Sequence, residues 1–225
     1  MKNLDIEKIL SDALPFFGEL SDTDKALLVK AARPISLAEG TVVHDGSACT
    51  GAILLLNGSL RLYVVSEDGK EITLYRLGAG EICMLSAYCV LDAITFDVTV
   101  EADAQSDCVI ISPAVLASLG ERIPQVKIFT LECALTRFSD VMWVFQQIVF
   151  MSMDRRLAIF LCDEAAKTKS DILHLTHEQI AKYVGSAREV VSRMLKYFAA
   201  EGIIRYSRAE GIRILDKERL RRLTV

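Results

Sequence analysis

Residues 176–196 read Thr-His-Glu-Gln-Ile-Ala-Lys-Tyr-Val-Gly-Ser-Ala-Arg-Glu-Val-Val-Ser-Arg-Met-Leu-Lys. Two helix starts lie ten residues apart in this stretch. Thr176-x-x-Gln179 and Ser186-x-x-Glu189 both fit the capping box, in which two side chains satisfy the free backbone donors of a first turn. The first helix is expected to run to about Val184. Gly185 falls between the two, where a tight turn needs a residue without Cβ strain. Helix, short glycine turn and second helix make the helix-turn-helix pattern.

The second helix sorts by angle at about 100° per residue. Val190, Val191, Met194, Leu195 and Phe198 fall on one side, and Arg188, Glu189, Ser192, Arg193 and Lys196 on the other. The polar side starts at the helix N-terminus, the part that enters a major groove. Arg donates two bonds to guanine, Glu accepts from cytosine N4, and Lys reaches phosphate. A solvated face with a Glu189–Arg193 ion pair would share this spacing. The chain that follows favours nucleic acid. Ile203–Tyr206, a turn from Ser207 to Gly211, and Ile212–Leu215 form a hairpin whose Arg205, Arg208 and Arg213 are placed to touch phosphates as a wing does. A last helix spans Asp216 to Leu223.

Charge divides along the same line. The whole chain of 225 residues is at −4, but residues from Met151 onward hold 15 basic and 10 acidic groups, net +5, and the remainder is at −9. DNA contact is therefore expected only in the C-terminal part. With 52% hydrophobic residues the chain can bury a full core. It carries neither a secretory signal nor about 20 consecutive apolar residues, so a soluble cytoplasmic protein without membrane contact is expected.

Upstream of the reading end, Asp154–Ala166 is amphipathic and Ile172–Leu175 reads as a short strand. Before them, Ile128, Leu131, Leu135, Phe138, Met142, Phe145 and Val149 recur at alternating spacings of 3 and 4. That is a coiled-coil seam, and a parallel homodimer is expected; a long helix packed on its own β domain would also use such residues. From Arg33 to about Pro113, β-rich runs alternate with turn signals: Thr41–His44, Ala52–Leu56, Leu60–Val65, Ile72–Tyr75, Phe96–Val100 and Cys108–Ser112, with Asp45-Gly46, Asn57-Gly58 and Asp68-Gly69 between. This spacing gives a β barrel or sandwich. Ile6–Leu14 and Asp24–Ala32 read as helices, the second capped by Ser21.

These segments together resemble the Crp/Fnr family over nearly the whole chain. The motifs are Gly58-Ser59-Leu60-Arg61-Leu62 with Gly78-Ala79-Gly80-Glu81, then Asp154-Arg155-Arg156-Leu157-Ala158-Ile159-Phe160-Leu161, and Gly185-x-x-Arg188-Glu189-x-Val191-x-Arg193. The resemblance implies an α+β fold. Residues 1–122 would form a β-roll (double-stranded β-helix) sensor domain with N-terminal helices, 123–150 a dimerisation helix and 151–225 a winged helix-turn-helix. It implies a bacterial transcription regulator with double-stranded DNA, a second copy, RNA polymerase and a small-molecule effector as partners. Arg188, Glu189 and Arg193 would read two inverted half-sites similar to TGTGA. Thr176, Ser186, Ser192, Lys196 and Arg208 complete the expected DNA contacts. An effector seated between roll and dimer helix would re-aim the two recognition helices.

The cyclic-nucleotide pocket of the family uses a Gly-Glu and, about a dozen residues on, an Arg for the phosphate. Gly80-Glu81 is present, but residues 91–97 read Leu-Asp-Ala-Ile-Thr-Phe-Asp, and no Arg or Lys lies between Arg76 and Arg122. A buried phosphate without a cation is costly, so cyclic AMP is not expected to bind. The expected effector is small and rather apolar, walled by Glu81, Ile82, Met84, Leu85, Tyr88, Thr95 and Phe96 and capped by Phe138, Val141 and Met142. The same residues would serve as plain core.

Six scattered cysteines form no framework and read as small apolar residues. Cys83 and Cys89 keep a redox, haem or metal-sensing alternative open, although no cysteine precedes Cys49 and His44 is the single histidine of the sensor half. No cofactor is called for. An enzyme on a similar barrel would need several His converging on a metal, so no catalytic activity is expected.

Overall fold

The computed structural model describes residues 4–90, 98–207 and 210–224, with the backbone alone at 88–90. The chain forms two compact units. The first contains residues 1–65 and 74–141, and the second contains residues 66–73 and 142–225.

The first unit starts with α1 (Ile6–Ala13) and α2 (Asp22–Ala31). Ser21 caps α2 by accepting from the Asp24 N–H at 3.2 Å. The helix expected over Asp24–Ala32 ends one residue earlier, because Ala32 opens a strand. The strands are β1 (Ala32–Leu37), β2 (Val42–His44), β3 (Ala52–Asn57), β4 (Leu60–Val65), β5 (Glu71–Leu77), β6 (Ile82–Cys83), β7 (Thr99–Ala102) and β8 (Ser106–Ile111). They form two antiparallel sheets, ordered β1-β8-β3-β6 and β2-β7-β4-β5. α3 (Pro113–Arg122), with Pro at its first position, was not legible from periodicity. It leads into α4 (Pro124–Phe150), a helix of 27 residues.

Strand β3 shows why the roll holds together. Ala52, Ile53, Leu54 and Leu55 are all buried. Successive side chains of a strand point to opposite faces. Ile53 and Leu55 join Leu60, Leu62, Leu77, Val100 and Cys108 between the two sheets. Ala52 and Leu54 face outward onto Leu10, Leu28, Leu116 and Val126 of the helices. The N-terminal helices are thus a second layer on the roll, which explains the continuous apolar run. At the β3–β4 turn Gly58 has φ +91°, and a Cβ there would collide with Ser106.

The second unit holds α5 (Met153–Thr168), β9 (Ile172–Leu173), α6 (His177–Val184), α7 (Arg188–Ala200), β10 (Ile204–Ser207), β11 (Gly211–Ile214) and α8 (Lys217–Arg222). The strands form one sheet in the order β10-β11-β9. Leu157, Leu161, Ile180, Val191, Leu195, Phe198, Ile212 and Leu220 close a single core. The hairpin tip 66–73 belongs to this unit. Thr73 Oγ1 donates to the Lys182 carbonyl at 2.9 Å, and Lys182 pairs with Glu71 at 3.2 Å. No helix among the described residues is long and apolar enough to cross a membrane.

Candidate nucleic-acid interface and effector face

The interface is built from the turn outward. Thr176 accepts from the Gln179 N–H at 3.1 Å, and Gln179 Oε1 accepts from the Thr176 N–H at 2.9 Å. This is the expected capping box. Gly185 ends α6 in the left-handed region with φ +63°. The second box does not form. Ala187, not Ser186, is the N-cap of α7, and no side chain caps it. The tight turn uses Ser186 as a spacer: its N–H donates back to the Ala181 carbonyl at 2.9 Å. The half-buried Ser186 hydroxyl is thereby separated from the first free N–H groups of α7.

Helix α7 divides as its sequence indicates. Val191, Leu195 and Phe198 are buried, whereas Arg188, Glu189, Arg193 and Lys196 are exposed and Ser192 is half-buried. No ion pair among the described residues involves any of these four charged side chains. The Glu189–Arg193 pair of an ordinary solvated face is therefore not made, and the donors and acceptors stand ready for another molecule. Arg156 supports the motif from behind, donating to the Val184 carbonyl at 3.1 Å.

The wing repeats this pattern. Arg205 and Arg213 face each other across the β10–β11 ladder. Like charges directly opposite are unfavourable in a free sheet and become favourable beside phosphate. Arg208 lies outside the described residues. A contributor not singled out in the sequence is His177, whose ring packs on Tyr206 with centroids 4.7 Å apart.

The effector face is assembled differently from expectation. Glu81 is at the roll surface, where Oε2 accepts from the Gly78 N–H at 2.6 Å. Its other oxygen meets Arg137 of α4 at 3.0 Å, and Arg137 also holds Asp140 at 2.9 Å. The guanidinium lies over the Tyr75 ring at 4.8 Å. Burial opposes the charge on Arg137, yet the Glu81 bond and its neighbours raise its pKa overall. Arg137 lies beyond the cation-free stretch between Arg76 and Arg122, and α4 returns it to Glu81 at the roll. Arg61 is likewise buried, with Glu101 at 3.1 Å and Tyr63 beneath it.

Met84 and Leu85 are both buried, Met84 among the N-terminal helices and Leu85 between the sheets. Phe138 is 62% exposed, and Met142 is also exposed. Val141 packs against the roll core. Thr95 and Phe96 lie outside the described residues, as do the side chains of Tyr88 and Cys89. Cys83 is a buried free thiol, and burial pushes its pKa up. Burial and the neighbouring Asp107 push the Cys108 thiol up to about 12. Neither has the electropositive, accessible surroundings of a reactive thiolate. Cys49 departs from the expectation of free thiols, since it is disulfide-bonded.

Residues 155–223 match the Crp-like helix-turn-helix domain family, and residues 36–122 match the cyclic nucleotide-binding domain family. A solved structure described as a Crp/Fnr-family transcriptional regulator, from Eubacterium rectale, is 40% identical with a TM-score of 0.90, covering 95% of this chain and 99% of its own. The transcriptional activator protein FnrA of Stutzerimonas stutzeri is 27% identical over 90% of this chain and 84% of its own length. The cAMP-activated global transcriptional regulator Vfr of Pseudomonas aeruginosa is 23% identical over 85% of this chain and 93% of its own.

Proposed function

Because this chain belongs to the Crp/Fnr family of transcription regulators, we propose that it works as a cytoplasmic homodimer, paired along α4, that reads an inverted-repeat DNA site. A small effector other than cyclic AMP would bind the β-roll and control it, and RNA polymerase would be the partner through which transcription changes. Arg188, Glu189 and Arg193 are the base readers. Thr176, Ser192, Lys196 and Arg208 position the backbone, with Ser186 at the turn.

The observation that carries DNA reading is the state of α7. Four charged side chains stand exposed, without ion pairs among the described residues, over a buried Val191–Leu195–Phe198 back. Selection from a random duplex library is the test. Enrichment of two inverted half-sites, about one helical turn apart, is expected. Recovery of unselected sequence would overturn it.

The effector reading rests on the Glu81–Arg137–Asp140 group. Two carboxylates share one guanidinium, so the group is net negative. A cyclic phosphate placed there adds a further negative charge and finds no free cation in the group. Calorimetry with cyclic AMP should give no saturable heat at micromolar concentrations. Saturable binding would refute this part while leaving DNA reading intact.

A further inference from the structure

The groove between the start of α6 and the wing holds about 440 Å³ and is lined by His174, Thr176, His177, Arg188, Tyr206 and Ser207. It continues the DNA-facing surface, because Arg188 belongs to both. The base readers leave His177 unused. Its Nε2 is shielded from solvent and has no hydrogen-bond partner among the described residues. Its ring rests on Tyr206.

We propose that His177 takes up a proton when a DNA phosphate docks in this groove, its imidazolium charge acting through space on that phosphate, so that DNA affinity rises as pH falls. This rests on α7 facing DNA. Charged groups from two helices surround the ring. From α7, Arg188 and Lys196 oppose an imidazolium. From α6, the neighbouring Glu178 lines the same groove. From β10, the Tyr206 ring offers its face, and such a face attracts a cation within about 6 Å. His174 precedes α6 in the same groove.

In the free protein the repulsive side wins. Burial first, then Arg188 and Lys196, hold His177 below the ordinary imidazole value. A docked phosphate supplies the missing negative charge and offsets both cations. The pKa in the complex is then above that of the free protein, and binding takes up a proton. By linkage, the gain in affinity appears as pH falls through the complex value and is complete below the free value.

Anisotropy titrations at constant ionic strength test this, using a duplex with inverted TGTGA half-sites and a random-sequence duplex of equal length. Phosphate contacts carry no sequence information, so both duplexes should show the effect. Between about pH 8 and about pH 6, affinity of the unmodified protein should rise about three- to tenfold, the scale of a pKa shift of about one unit. His177→Gln should flatten the profile. His177→Arg should keep tight binding and lose the pH dependence. His174→Gln should retain the slope. A flat profile for the unmodified protein, or an unchanged slope in His177→Gln, overturns the proposal. Failure to prefer any selected site over random sequence at every pH would instead remove the sequence-reading function.

Discussion

At the scale of single residues, two hydroxyls with the same sequence context have different fates. Thr176 and Ser186 each precede a Gln or Glu by three residues, and only Thr176 builds a capping box. The difference is the turn: Gly185 in the left-handed region makes the chain rise one residue later into α7, leaving Ala187 at the cap. Thr176→Ala should therefore destabilise the C-terminal unit by about 1 kcal/mol. Ser186→Ala should leave unfolding within about 0.5 kcal/mol of the parent. Urea denaturation followed by circular dichroism separates the two. Equal losses would mean that Ser186 caps after all. Arg137 is the converse case, a residue whose role the sequence hides. Its partner Glu81 is 56 positions away, and only the passage of α4 beside β5 and the Gly78–Glu81 turn brings them together.

At the scale of elements, α4 presents the clearest unmet requirement. Ile128, Leu131, Leu135, Phe138, Phe145 and Val149 are all exposed, Leu135 at 66%. An exposed apolar stripe of this regularity marks an interaction surface. Its heptad spacing matches a second α4. Leu135→Glu should convert a dimer to a monomer in sedimentation at micromolar concentration, and weaken DNA binding with it. Sedimentation as a monomer by the unmodified protein would contradict the pairing. Most strands and helices were legible in advance, and those with strong periodicity or turn dipeptides, such as β3, β4, α4, α6 and α7, were the clearest. Those missed were β1, β6 and α3. β1 begins directly where α2 ends, β6 has two residues, and α3 follows a strand without a polar linker. In each, pairing or packing with distant chain decides the conformation. Met84 and Leu85 have the apolar character expected of effector walls, and they lie in the core beside α1, α2 and the opposite sheet.

At the scale of the whole chain, charge and core follow the same division. The acidic part, net −9, coincides mostly with the roll, and the part at +5 forms the reading unit. A roll of the same charge sign as phosphate repels it, so DNA is expected to bind at the helix-turn-helix unit. The Crp/Fnr motifs made this division legible, because they specify backbone turns and a helix back that any member must build. They do not specify an effector, nor pairings such as Arg137–Glu81 that bring side chains together from separate elements. Sequence-specific reading by the exposed face of α7 is the central claim. Its most direct measurement is site selection from a random library by the unmodified protein and by Arg188→Ala, followed by titration of the winning duplex. The variant should lose about 1–3 kcal/mol of specific binding and relax the preference at one base pair of each half-site. Identical selected sites and identical affinity for the two proteins would contradict the account.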